Sequence, residues 1–184
     1  MNRIRPARAA DADPLQATHV AAIEAFGPDA YDERQVRAWA TKEGDPPLAL
    51  DTDDEQVVVA EPEPGDESES GVDGPAVAGF GHVALDGVRS APEDRAAALS
   101  DRPTAEVIAV YVHPDHARSG LGSRLLGWAE AQARERDREV VGLLASQNTV
   151  GFYERRGHES LATVTIENTG GVEMPTTWME RELE

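Results

Sequence analysis

The chain has 184 residues, with 35 Asp and Glu against 17 Lys and Arg, no cysteine and a formal net charge of −18. That length suits one domain around a single core, and residues 1–184 are read as one domain. The lack of cysteine excludes a disulfide scaffold, a thiolate metal site and an acyl-cysteine intermediate. The acid excess argues against nucleic acid as a partner, because phosphate binding needs a dense basic surface.

Sixteen of the seventeen basic residues are arginine, and Lys42 is the one lysine. A chain this acidic repels itself in dilute buffer, whereas molar salt, with a Debye length of about 3 Å, screens that repulsion. The composition resembles that of proteins from salt-in halophiles, so stability and activity are expected to need high salt. The plainer alternative is an ordinary acidic cytosolic protein. The opening Met1-Asn2-Arg3-Ile4-Arg5-Pro6 has charge but no apolar core behind it, unlike a signal peptide. The longest strongly apolar run, 107–112, falls far short of the roughly 20 residues that span a bilayer. A cytoplasmic protein without a membrane partner is expected.

A first strand begins at Ile4. Asp13-Pro14 predicts a helix start, with the acid as N-cap and proline at the first helical position. Leu15, Val20, Ile23 and Phe26 fit one side of that helix, which should stop at Gly27-Pro28. A second helix starts near Asp32, carries Val36 and Trp39 on one face, and fades at Gly44-Asp45-Pro46-Pro47. Residues 57–60 (VVVA) read as a strand. The stretch 61–75 is acidic, rich in Pro and Gly and without apolar anchors, so a solvated loop insertion is expected. A strand over 77–85 follows. A second acidic insertion spans about 86–104, with loop and some helical character over 91–103.

Residues 106–112 are apolar on both faces, as in a central buried strand. Gly120-Leu121-Gly122 then opens a helix to about Arg136, with Leu121, Leu125, Trp128 and Ala129 at helical spacing. Residues 140–145 form the next strand. Asn148 is read as the cap of a short helix that ends at Arg156, with Gly157 as its stop. Strands near 161–167 and 173–181 complete the chain.

The strand–helix–strand unit from 106 to 145 implies a parallel pair with a right-handed crossover. Ligands in such units settle at the carboxyl ends of the strands, where the helix begins. Here that spot is Arg118-Ser119-Gly120-Leu121-Gly122-Ser123. Two glycines let amides approach an anion, the helix dipole favours it, and Arg118 and Arg124 add charge. This predicts a pyrophosphate cradle, against the simpler reading of a tight turn before a helix. A dinucleotide fingerprint fails, since Leu125 holds the third glycine position, and no Gly-Lys-Ser/Thr is present for a P-loop.

The run 112–126, VHPDHARSGLGSRLL, resembles motif A of the GNAT superfamily of acetyl-CoA-dependent N-acetyltransferases. The run 145–158, ASQNTVGFYERRGH, resembles its motif B. The resemblance covers nearly the whole chain apart from the two acidic insertions. It implies an α/β GNAT fold: a mixed, mostly antiparallel central sheet of six to seven strands, about four helices, and a parallel pair that splays at the cofactor site. It implies acetyl-CoA as cosubstrate, no metal, and an amine acceptor of small-molecule or peptide type; a homodimer is compatible with it. The amides of Arg118, Ser119, Gly120, Leu121, Gly122 and Ser123 would bind the pyrophosphate, with Arg124 beside them. Val112 would pair with the pantetheine arm, Asn148 would contact that arm, and Tyr153 would protonate the departing thiolate. Ala117 and His158 depart from the family pattern, which often has Gln or Arg and an aromatic at those positions.

The residues fit that chemistry independently. Acetyl transfer to an amine needs a neutral nucleophile, an oxyanion donor and an acid for the thiolate. A main-chain N–H within Val110, Tyr111 and Val112 can serve as donor, and the missing cysteine favours direct attack in a ternary complex. Glu106, whose position six residues before Val112 resembles that of the catalytic glutamate of histone-type GNAT enzymes, is the candidate general base, with a solvated strand-edge acid as the bland alternative. His82 and His113 are rivals as base or water relay. A core aromatic is the bland alternative for Tyr153, and Arg155-Arg156 reads as a partner of the helix C-terminus. A catalytically silent acyl-CoA-binding module of the same fold is the alternative to the enzyme. The acceptor carries no recognisable code; Tyr31, Trp39 and His19 are candidates to line its pocket.

Overall fold

The computed structural model describes residues 2–41, 52–62 and 76–184. Its seven strands are β1 (Arg3–Pro6), β2 (Glu55–Glu61), β3 (Gly79–Ala84), β4 (Thr104–Val112), β5 (Val140–Ser146), β6 (Glu159–Asn168) and β7 (Val172–Glu182). Its five α-helices are α1 (Ala12–Phe26), α2 (Glu33–Ala40), α3 (Glu93–Leu99), α4 (Leu121–Glu135) and α5 (Val150–Glu154). One sheet holds every strand in the order β1-β2-β3-β4-β5-β7-β6. The β4–β5 pair is parallel and all other pairs are antiparallel.

The core lies on both faces of that sheet. Leu126, Ala129 and Ala133 of α4 are buried against Val83, Val107, Val141 and Leu143, and Leu125 packs with Val58, Ala60 and Ala78. On the other face, Leu15 of α1 packs with Val57, Val59, Phe80 and Ala109, while Ile23, Val36 and Trp39 form a neighbouring cluster with Met174. A strand buried on both sides must be apolar at successive positions, which is why β4 lacks the polar alternation of a half-exposed strand.

The parallel ladder is short. It runs from Thr104↔Val140 to Val107↔Leu143 and stops, although β4 continues to Val112 and β5 to Ser146. Beyond that point β4 stays with β3 as far as Gly79↔Val112, and β5 stays with β7 as far as Ser146↔Thr176. A bulge sits at the fork: His82 faces Ala109 and Val83 faces Val107, leaving Ile108 without a counterpart. An extra residue bends its strand and sharpens the local twist, which turns the end of β4 away from β5.

Two expectations need correction. The first helix begins at Ala12, one residue before Asp13, and its N-cap is Asp11. The Asp11 carboxylate does not cap α1; it accepts from the Arg8 N–H at 2.7 Å and from both Arg5 amino groups at 2.7 and 2.9 Å. Pro14 is tolerated in the first turn because no intrahelical donor is needed there. The short helix over motif B is capped by Thr149 and ends at Glu154, while Gly157 turns the chain at φ +85°. Asn148 donates its side-chain amide to the Phe26 carbonyl at 3.0 Å. The helical character expected within 86–104 is α3, whose Arg95 grips Glu180 of β7 with contacts of 3.0 and 2.6 Å. The expected fading of the second helix at 44–47 and most of the 61–75 loop lie outside the described residues; Glu61 itself ends β2 and pairs with Arg5.

Candidate active site

The end of β4 runs through a 3-10 turn, Pro114–His116, into the start of α4. Ser119 closes that turn by donating its hydroxyl to the His116 carbonyl at 2.6 Å. Arg118 (φ +59°) and Gly120 (φ +83°) both adopt the left-handed region. A Cβ on Gly120 would meet nothing within 4 Å, so glycine serves its backbone angle there and not a lack of space. The first bond returning into the helix is Arg124 N–H to the Gly120 carbonyl at 3.2 Å. The amides of 121–123 therefore have no helical acceptor and carry the positive end of the dipole. This is the geometry an oxyanion group requires.

The arginines around it are held differently. Arg124 points to the N-terminal strand, donating to the Asn2 carbonyl at 2.7 Å. Arg118 is exposed. Arg156 instead reaches the helix start: its guanidinium lies 3.8 Å over the Phe152 ring, donates to the Phe152 carbonyl at 3.0 Å, and bonds the Ser123 hydroxyl. The i,i+4 spacing of an aromatic and an arginine was the available signal for this stacked pair.

The fork between β4 and β5 opens beside this loop. His113 N–H donates to the Ala78 carbonyl on the β3 side at 2.9 Å. Strand alternation then turns the main-chain groups of Val112 and Val110 toward the opening. Tyr111 faces the α1–α2 side, edge-on to His19 at 4.5 Å and stacked on Phe80 at 5.4 Å. Tyr153 enters from the α4 side, in the same apolar cluster as Val107, Leu143 and Ala145, with Val110 packed against it. Burial pushes its phenol up to about 12, which keeps the proton on the oxygen at neutral pH. Asn148 lies near the opening with its Oδ1 buried and, among the described residues, without a hydrogen-bond partner. Such an orphaned acceptor suits an amide N–H supplied by a ligand.

Tyr31 stitches the walls together, donating to the Pro175 carbonyl and accepting from the Gln147 N–H, both at 2.8 Å. It packs edge-on against Trp39 at 5.9 Å. Glu106 stands at the closed end of the fork, opposite Gly142, and is 2% exposed. Its Oε2 accepts from the Arg89 and Ser90 amides, the latter at 3.0 Å. His82 shares that face of the sheet and pairs with Glu55 at 2.8 Å; burial lowers its pKa and keeps it neutral. His113 lies at the far end of β4, 3.5 Å from Asp115. The three base candidates thus fall at different places: Glu106 within the paired ladder, His82 at the fork opposite Ala109, and His113 beyond the end of β4.

The profile of the acetyltransferase (GNAT) family matches residues 21–158. The chain belongs to the GNAT acetyltransferase family. Three solved structures share the GNAT fold over the whole chain. A GCN5-related N-acetyltransferase from Rhodopseudomonas palustris is 24% identical, with a TM-score of 0.74 and 96% of its own length covered. The PaiA N-acetyltransferase of Thermoplasma acidophilum, solved with coenzyme A, is 16% identical with a TM-score of 0.64 and 99% covered. The yncA acetyltransferase of Salmonella typhimurium, solved with acetyl-CoA, is 24% identical with a TM-score of 0.57 and 95% covered. A comparison with curated proteins finds no match. As a GNAT enzyme the chain is an acyltransferase with the expected mixed sheet; among the described residues one strand pair is parallel, and α3 brings the helices to five. Among the described residues, no helix is long and apolar enough to cross a membrane.

Proposed function

We propose that this enzyme transfers the acetyl group of acetyl-CoA to a primary amine by direct attack in a ternary complex. One observation supports the reading: helix-start amides without helical acceptors follow the end of β4, and a protonated tyrosine lies buried with Val107 and Leu143, where the parallel strands part. The PaiA and yncA neighbours were solved with coenzyme A and acetyl-CoA, which fits the same substrate here.

Acetyl-CoA supplies an activated carbonyl and a thiolate leaving group. The amides of 118–123 and the Arg156 guanidinium hold its pyrophosphate. The main chain of Val110 and Val112 pairs with the pantetheine arm and donates to the carbonyl oxygen as charge develops there. Asn148 Oδ1 accepts from an amide of that arm. Tyr153 gives its proton to the departing sulfur, and the amine enters from the α1–α2 side past Tyr31 and Trp39. Glu106 takes the amine's proton through water along that face, since it lies about 13 Å down the strand from Val110 at roughly 3.3 Å per residue. No cysteine is present to carry the acetyl group, so the amine attacks the thioester itself.

The acid-rich composition supports a protein that works in a concentrated salt cytoplasm. A thiol-release assay over a panel of amines, run in multimolar KCl beside equilibrium binding of coenzyme A, tests the reading. Acetylated product and released thiol from one class of amine support it. Tight binding with no thiol release from any amine would make the chain a silent acyl-CoA-binding module.

A further inference from the structure

A cavity of about 250 Å³ lies where β4 begins, between the 86–88 turn, α3 and the α4–β5 connection. Thr104 heads the strand at this cavity, the paired ladder from Thr104 to Val107 lies between it and the fork, and the far end of the fork at Val112 is eight residues and about 26 Å away at roughly 3.3 Å per residue. It is therefore separate from the opening that Tyr153 enters.

Two arginines line this cavity and their circumstances differ. Arg102 is spent, gripping Glu182 at 2.7 and 2.6 Å and reaching Glu139 at 3.4 Å. Asp86, at the opposite wall, is likewise taken by Arg89 at 2.7 Å. Arg138 has no side-chain hydrogen bond or ion pair among the described residues, and its Nε is buried without an acceptor. Other arginines also lack a carboxylate, but among the described residues Arg138 alone has a buried guanidinium nitrogen without an acceptor. A buried guanidinium donor is costly to leave unpaired. Its planar fork matches a carboxylate or a phosphate, and Ser100 and Thr104 add hydroxyls to the same walls.

We propose that this cavity, with the unpartnered Arg138 beside Ser100 and Thr104, is a second binding site that takes a small molecule bearing an oxyanion. The volume admits a ligand of metabolite size and excludes a coenzyme. Arg138 holds the oxyanion and the Thr104 hydroxyl donates to it, while Ser100 keeps its own proton on the Ala97 carbonyl at 3.0 Å. Occupancy bears directly on the first residue of β4 and, through Arg102 and Glu182, on the end of β7. The proposal does not depend on acetyl transfer.

Amide-resolved spectra titrated with inorganic phosphate and, separately, with acetate at constant ionic strength test the site. The amides of Gly87, Ser100, Thr104 and Arg138 should shift and saturate with at least one probe. A response to phosphate alone assigns a phosphorylated ligand, a response to acetate alone a carboxylate, and either supports the site. Arg138→Gln should weaken the apparent affinity at least tenfold. Ala96→Glu, which brings a carboxylate to the cavity wall, should do the same and serves as the second variant should the first fail to fold. Shifts confined to Gly120 and Gly122, no saturable shift with either probe, or unchanged affinity in the folded variants would overturn it.

Discussion

The guanidinium of Arg156 lies 3.8 Å over the ring of Phe152. That stack holds a cation at the Ser123 hydroxyl, where the first amides of α4 have no helical acceptor. The chain thus combines a dipole, free N–H groups and a fixed charge at one helix start, in a molecule that is otherwise strongly acidic.

Replacing Arg156 with glutamine removes the charge but leaves the amides. A charge-assisted hydrogen bond contributes about 1.5–3 kcal/mol, so KM for acetyl-CoA should rise roughly tenfold or more. The KM for the amine and kcat should move little. Arg124→Gln is the contrasting variant, since Arg124 is occupied at the Asn2 carbonyl; it should leave KM for acetyl-CoA near the wild-type value. Steady-state kinetics with both substrates varied reads the difference.

Tyr153→Phe keeps the ring and its contacts with Phe152 and His158 at 5.0 and 5.7 Å. Only the proton donor is lost, so kcat should fall about a hundredfold with the Kd for acetyl-CoA within a factor of two. A phenol pushed up to about 12 stays protonated through the neutral and mildly alkaline range. The pH–rate profile should therefore show no alkaline limb from Tyr153 below about pH 11. Unchanged turnover in the variant would remove Tyr153 from the mechanism.

Much of this site could be read from the chain because its parts are local. An apolar run, a pair of glycines and a helical stripe follow one another from 106 to 136, and each forms from its own neighbours. Long-range contacts were hidden. Arg156 meets Ser123 across 33 residues, Asn148 meets Phe26 across 122, and α3 is held to β7 by an ion pair between residues 85 apart. The segment 91–103 is short and Ala-rich, with only Leu99 well buried along the helix, so its periodicity could not reveal that Arg95 docks it. The Ile108 bulge, which starts the fork, has no sequence signature in an unbroken run of strand formers.

Glu106→Gln separates catalysis from architecture. The amide oxygen of glutamine can still accept from the Arg89 and Ser90 amides, so the 86–90 turn and the melting temperature should be preserved. Glutamine cannot take a proton, and kcat should drop about a hundredfold at neutral pH if the carboxylate is the base. Glu106→Ala should lower both turnover and stability, because two part-buried N–H groups lose their acceptor. Full activity in the glutamine variant would reduce Glu106 to an anchor for the turn.

His158 contributes an acid limb to stability. Burial and the nearby Arg181 and Arg156 guanidinium groups lower its pKa from 6.5 to about 4. Glu130 lies 4.0 Å from its Nε2, is itself held by Arg181 at 2.8 Å, and the Tyr153 ring packs edge-on. The unfolded chain takes up a proton at a higher pH than the folded one, so the neutral histidine's contribution is complete above pH 6.5. It is lost as pH falls from 6.5 toward 4, by an amount on the order of 3 kcal/mol. His82, also lowered by burial, acts in the same direction. His158→Phe should flatten the decline in melting temperature between pH 7 and 4. An identical decline in both proteins would assign the limb to other groups.

Salt tests the charge itself. With 35 acids against 17 basic residues, repulsion among exposed carboxylates opposes the compact state in dilute buffer. Surface pairs such as Arg37–Glu33 offset little of it, since both partners are exposed and each such pair contributes at most about 1 kcal/mol. Raising KCl from 0.1 to 3 M shortens the Debye length from about 10 Å to below 3 Å and removes most of that repulsion. The melting temperature should climb by roughly 10 °C or more, steeply below 1 M where screening changes fastest. Binding of coenzyme A, held by fixed amides and by Arg156 against Phe152, should weaken far less than an exposed ion pair over the same range. A melting temperature that stays flat or falls with added KCl would detach the acidic composition from salt.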